Sequence, residues 1–191
     1  MSVTVNDVFK RAMALCDYID VSGDVLENEF TAQLAKRTPA LCDAAQRELI
    51  YYIDIIKSEA FDFNKKQAYP IPKDYLSTVS VVPNDAGVEI IKGVGVLGGG
   101  FSKTALVNYL ASPSPVTDEN SEFSYSDNDI LSTVPYFLAA AFMKEENPSL
   151  SAEFTEKFER ARSRLRAVKS QSFFEEITDT VGTECEANGS F

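Results

Sequence analysis

The chain has 191 residues, 45% of them hydrophobic, and a formal net charge of −11. That length supports a real core in one domain, with room for a subdomain. Histidine is absent, which excludes Ser-His-Asp and Cys-His triads and His-ligated zinc or iron centres, and the acidic balance argues against a duplex-DNA binder.

Thr4 reads as an N-cap with Asp7 in a capping box. Val5, Val8, Phe9, Ala12, Met13, Leu15 and Cys16 follow at helical spacing, and the helix is expected to stop near Asp20-Val21-Ser22-Gly23. A second helix is expected from Asp24 to Lys36. A third is expected to start at Thr38-Pro39, with Leu41, Ala45, Leu49, Tyr52 and Ile56 as its apolar stripe.

After Ser58 the period changes to alternation, around Ala60-Phe61-Asp62-Phe63. Tyr69-Pro70-Ile71-Pro72 must be extended, because each proline pushes its predecessor out of the helical region. Leu76 to Val82, Val88 to Lys92 and Lys103 to Leu110 read as strands from their Val, Ile, Thr and Tyr content. Pro83-Asn84-Asp85-Ala86-Gly87 reads as a turn and Ser112-Pro113-Ser114-Pro115 as a rigid loop. Phe123 and Tyr125 suggest one more short strand.

Helix returns with Asp127-Asn128-Asp129 as its cap and Ile130, Leu131, Val134, Leu138, Ala141 and Phe142 on its core face. Pro135 implies either a kink or a true start at Thr133. Asn147-Pro148 caps the last helix, which carries Leu150, Phe154, Phe158, Leu165 and Val168, with Glu153–Lys157 and Glu156–Arg160 spaced for ion pairs. Beyond Lys169 the periodicity fades into an acidic segment that reads as a flexible arm. The fold class is therefore α+β: a helical bundle built from N- and C-terminal helices (about 4–57 and 127–168) with an inserted small antiparallel β module (about 60–125). Residues 1–168 form one domain and 169–191 the arm.

The residues offer little chemistry. Cys16, Cys42 and Cys185 lack metal-type spacing, and the first two fall on apolar helical faces, so they read as buried thiols. Gly93-Val94-Gly95-Val96-Leu97-Gly98 has the dinucleotide-binding spacing, but no helix opens after it, so it reads as a flexible hairpin tip. Asp127, Asp129, Glu145, Glu146 and the Asp118-Glu119 pair are not placed together by the sequence and read as structural carboxylates. No cofactor, metal or catalytic residue is expected. No run approaches the ~20 apolar residues of a membrane span, and the first residues lack the n- and h-regions of a secretory signal. The expectation is a protein made in the cytoplasm, with no membrane partner.

Arg160, Arg162, Arg164, Arg166 and Lys169 concentrate positive charge in an acidic protein, and Phe173, Phe174 and Ile177 follow as an apolar trio. These eight are the candidate partner-binding residues. The cations read either as a solvated helix end complementing the dipole or as a contact for an acidic partner. The trio reads as an extra turn on the core or as helix-in-groove anchors.

Several motifs, in order, resemble the head–tail connector proteins of tailed bacteriophages, which sit beneath the portal. They are the opening Val3-Thr4-Val5-Asn6-Asp7-Val8-Phe9-Lys10-Arg11-Ala12, Tyr69-Pro70-Ile71-Pro72-Lys73-Asp74-Tyr75, Val107-Asn108-Tyr109-Leu110-Ala111-Ser112-Pro113, the helix Ile130 to Ala141, and the charged helix Phe154 to Leu165. The resemblance covers most of Val3 to Arg166; the stretch Gly93 to Gly100 and the acidic tail depart from it. It implies a homo-oligomeric ring of about twelve copies in the virion, at the head–tail junction. Such a ring docks to the portal, continues the DNA channel and meets the next neck or tail protein, with DNA only as passing cargo. The level in the neck stays open between adaptor, stopper and terminator. A different-class alternative is a cytoplasmic regulatory, nucleic-acid-associated helical protein using the basic patch.

Overall fold

The computed structural model describes residues 2–66, 68–83, 87–91, 95–98 and 104–165. The chain is of mixed α+β class and divides into two compact units: a helical one from Met1–Ile53 and Pro115–Phe191, and a β unit, Asp54–Ser114, inserted between those halves.

In the helical unit, α1 spans Val5–Leu15 and buries Val5, Val8, Phe9, Ala12 and Met13. The Thr4–Asp7 capping box is present. The helix ends a turn earlier than the sequence suggests, because Asp17 turns the chain with a left-handed φ of 60°. Asp20 then braces a tight turn by accepting the N–H groups of Ser22 and Asp24.

The two helices expected over residues 24–57 are a single helix, α2, Glu29–Leu49. Asn28 caps it in a box with Thr31, and Pro39 lies inside it. An interior proline costs about 3 kcal/mol. Here Leu34, Thr38, Cys42, Ala45 and Leu49 form one buried stripe through that position, so burial along the whole helix outweighs it. The Thr38 hydroxyl donates to the Leu34 carbonyl at 2.9 Å, one turn back. Tyr52 and Ile56 fall beyond the helix end, and Ile56 instead opens a strand.

Helix α3, Asp127–Met143, is capped by Ser126 rather than by the Asp residues after it, and it runs unbroken through Pro135. Ile130, Val134, Leu138 and Ala139 are fully buried, and α3 packs against both α1 and α2. Phe9 meets Phe142 edge-on at 6.2 Å. The described part of α4 covers 148–165, with Asn147 as its cap: its Oδ1 accepts from Leu150 N–H at 3.1 Å. No strand forms at Phe123–Tyr125; only a single bridge joins Glu122 to Thr4, and Tyr125 is buried.

The β unit holds two antiparallel three-stranded sheets. Strands β1 (Ile56–Asp62), β6 (Thr104–Ala111) and β3 (Tyr75–Val82) form one, with β6 central. Strands β2 (Ala68–Tyr69), β5 (Gly95–Gly98) and β4 (Val88–Ile91) form the other, with β5 central. Phe61, Phe63, Val96, Ala105 and Val107 are its buried core. The described part of the glycine motif is thus a central strand rather than a hairpin tip; residues 93–94 and 99–100 lie outside the described residues. Val96 is fully buried, and the flanking glycines are there for space. Gly95 has φ 136° against the Tyr69 carbonyl, and a Cβ at Gly98 would overlap the Phe63 ring.

Gly98→Ala should therefore lower the unfolding free energy by about 1–3 kcal/mol through overpacking, read by urea denaturation. Gly23→Ala, where nothing lies within 4 Å and only the φ of 84° resists a side chain, should cost about 1–2 kcal/mol without disturbing the near-ultraviolet signal of the Phe and Tyr rings in the β unit.

Asp43 gives a pH test. Burial pushes its carboxyl up, but hydrogen bonds from Arg47 and the Val116 N–H outweigh this and hold it below the ordinary value of 3.8. A depressed carboxyl adds stability above its unfolded pKa and loses it as pH falls through the folded value. Asp43→Asn should cost about 1 kcal/mol near neutral pH, and the gap to wild type should close as pH falls below 3.8.

Candidate partner-binding surfaces

Helix α4 presents Phe154 and Phe158 inward, so its cations are distributed around the remaining arc. Arg162 is drawn into the protein's own structure. Its guanidinium lies 5.0 Å over the Tyr52 ring and 5.4 Å over the Phe158 ring. It also pairs with Glu159 at 2.5 Å and with Glu48 at 3.2 Å, leaving its side chain only 17% exposed. A planar cation between two rings and two carboxylates ties α4 to the end of α2.

Arg160 and Arg164 lie one turn apart on the exposed side and, with Glu156, Glu159 and Ser163, line a shallow depression. Arg160 pairs with Glu156, the partner the sequence spacing suggests, and Lys157 pairs with Glu153 at 2.7 Å. Arg166, Lys169, Phe173, Phe174 and Ile177 lie outside the described residues.

A groove of about 500 Å³ runs between α3 and α4. Phe137, Ala140, Ala141 and Phe158 form its floor, and Lys144, Glu159 and Arg162 stand on its rim. Nothing in it pairs a nucleophile with a base. The cysteines do not supply one either: burial pushes the Cys42 and Cys16 thiols up to about 12, so both are protonated at neutral pH. Among the described residues no group of three or more His, Cys, Asp or Glu could hold a metal ion. Of the acidic residues singled out in the sequence, Asp127, Asp129 and Glu146 accept hydrogen bonds within the fold. Asp127 accepts Val3 N–H at 2.9 Å, Asp129 accepts the Ser126 hydroxyl at 2.7 Å, and Glu146 accepts the Tyr18 hydroxyl. That bond to Glu146 holds the Tyr18 phenol up to about 12.

Two surface features escape motif reading. The first is apolar exposure on the β1–β6–β3 sheet, where Ile56, Leu76, Val79, Val82 and Leu106 are 40–58% exposed. The second is charge segregation. Residues 54–114 contain Asp54, Glu59, Asp62, Asp74, Asp85 and Glu89 against Lys57, Lys65, Lys66, Lys73, Lys92 and Lys103. The β unit is therefore formally neutral, and the helical unit carries the whole −11. A segment-by-segment charge count would have revealed this; the exposure required the sheet order.

No helix among the described residues is long and apolar enough to cross a membrane. Compared with known proteins, the chain matches no family model and no curated sequence.

Arg162→Ala should lower the unfolding free energy by about 1–3 kcal/mol, since it removes a largely buried cation from the Tyr52 and Phe158 rings and from its two carboxylate partners. Arg162→Lys should recover little of this, because the flat stack is lost. Arg160→Ala should stay within about 0.5 kcal/mol of wild type. Thermal or urea unfolding of the three variants reads all of these.

Proposed function

We propose that this chain is a non-enzymatic structural component of a tailed-phage neck, forming a ring at the head–tail joint that docks to the portal and continues the DNA channel. The helices of both chain ends form its bundle, interrupted in sequence by the β unit. The observation that carries the reading is the ordered set of landmarks and the parts they occupy. The Tyr69–Tyr75 segment leads from β2 into β3. The Val107–Ala111 segment is the end of the central strand β6, and the Ile130–Ala141 segment is the body of α3.

The charge distribution supports the same role. DNA passing through a conduit must slide without sticking, and acidic protein repels the phosphate backbone. A unit carrying −11 suits a channel wall better than a binding site. Arg162, which would favour a nucleic-acid regulator, is occupied by Tyr52, Phe158, Glu48 and Glu159, while Arg160 with Glu156 and Lys157 with Glu153 form exposed pairs. Arg160, Arg164 and the five candidates beyond residue 165 remain the proposed portal-facing group.

Electron microscopy of virions, or of co-assemblies with the portal of the same phage, should show this polypeptide as a closed ring coaxial with the portal. Heterologous contacts of this kind close into rings when the rotation between neighbours allows it. Virions that lack the polypeptide would overturn the reading.

A further inference from the structure

The β1–β6–β3 sheet ends in two free edges. Among the described residues nothing pairs with the outer side of β1 or of β3. An exposed edge normally carries charge to discourage association; β1 does so at Lys57, Glu59 and Asp62, whereas β3 carries no charged residue at all. Ile56 on β1 is 58% exposed, and Leu76, Val79 and Val82 on β3 are 50%, 50% and 54% exposed. Scattered exposed apolar residues are ordinary, as at Val21, Leu26 and Tyr51; five of the eight large ones among the described residues gather on this one sheet, and such a cluster marks an interaction surface.

The sheet face shared by Ile56, Val82 and Leu106 has few charges. Lys57 and Glu59 stand opposite the buried Tyr109 and Val107, on the other face. The polar groups in the middle satisfy one another. The Ser58 hydroxyl donates to Asn108 Oδ1 at 2.6 Å, and Asn108 Nδ2 donates to Ser80 Oγ at 2.8 Å, a rung across all three strands. A neighbour at either edge of the sheet leaves those hydrogen bonds intact.

We infer that two copies of the chain meet edge to edge through this sheet, the β1 edge of one copy against the β3 edge of the next. Charge favours a second copy as the occupant. Two copies that approach through their helical units bring −11 against −11, whereas the β units are neutral. The contact is heterologous, because one edge is a regular strand and the other is not: β3 breaks register between Tyr75 and Ser77 and between Thr78 and Ser80. Leu76 and Val79 are the residues left over at those two bulges. Bulges bend and twist the strand that carries them, so Leu76 and Val79 add side-chain contact beside the main-chain groups of the β3 edge. Both edge strands are antiparallel to β6, hence parallel to each other, and a rotational repeat of the contact sets β1 beside a parallel β3. The inference rests on the proposed ring in assigning the contact its role.

Sedimentation velocity of the full chain, up to about 1 mM, tests it with Ile56→Glu on one edge and Val79→Glu on the other. Wild type should associate with rising concentration. Each variant alone should associate at least about tenfold more weakly, as expected for one buried charge. An equimolar mixture should restore dimers but nothing larger, because one intact β1 edge still meets one intact β3 edge. Circular dichroism and the thermal midpoint check folding, and Ile56→Ser with Val79→Ser provide milder partners. Wild type that stays monomeric throughout overturns the inference. So does a variant that associates like wild type, and in that case the ring itself still stands and another surface forms it. A mixture that stays monomeric while both variants are impaired overturns the heterologous pairing. The ring reading itself is decided separately, by imaging of virions.

Discussion

The pairing of Ile56 with Leu110 is the contact on which the architecture depends. The β1–β6 ladder runs from that pair to Asp62 and Thr104, and Ala111 N–H donates to the Ile55 carbonyl at 2.8 Å just outside it. The insertion therefore returns the chain close to where it departed. Ordering about 60 residues between two halves of a core would otherwise carry a loop-closure cost that grows with the logarithm of length. With the ends held by a ladder, the halves of the helical unit can close on each other. Three backbone donors stitch them: Val3 N–H to Asp127, Asn6 N–H to the Glu119 carbonyl, and Val116 N–H to Asp43. Helix α3 then completes the core by packing on α1 and α2 from the first half.

Local chemistry made much of this legible in the sequence. The Thr4–Asp7 box, the Asn147 cap, the ion pairs along α4 and three of the strands follow from side chains acting on their own backbone or on the next turn. The failures share one cause, tertiary contact overriding a local signal. Thr38-Pro39 is a sound helix start in isolation, yet the buried stripe from Leu34 to Leu49 carries α2 through it. Gly95 and Gly98 look like a loose tip, yet their missing side chains are what the Tyr69 carbonyl and the Phe63 ring need. Arg162 looks like one of several surface cations, and only the positions of Tyr52 and Glu48, more than a hundred residues earlier, show it to be a packing residue.

The same division explains why the surface is specialised although no catalytic site is evident among the described residues. Acidic charge on the helical unit resists both nucleic acid and self-association. A neutral β unit with apolar edges relieves the second of these and not the first. Under the proposed function, that combination suits a protein that assembles around DNA without holding it.

Hydrogen–deuterium exchange at low and high protein concentration tests the central claim most directly, since edge pairing covers particular amides. The account predicts that association slows exchange within Ile56–Asp62 and Tyr75–Val82, the two edge strands, and leaves 148–165 on α4 unchanged. Slowing confined to α3 and α4, with both edge strands unaffected, would contradict it.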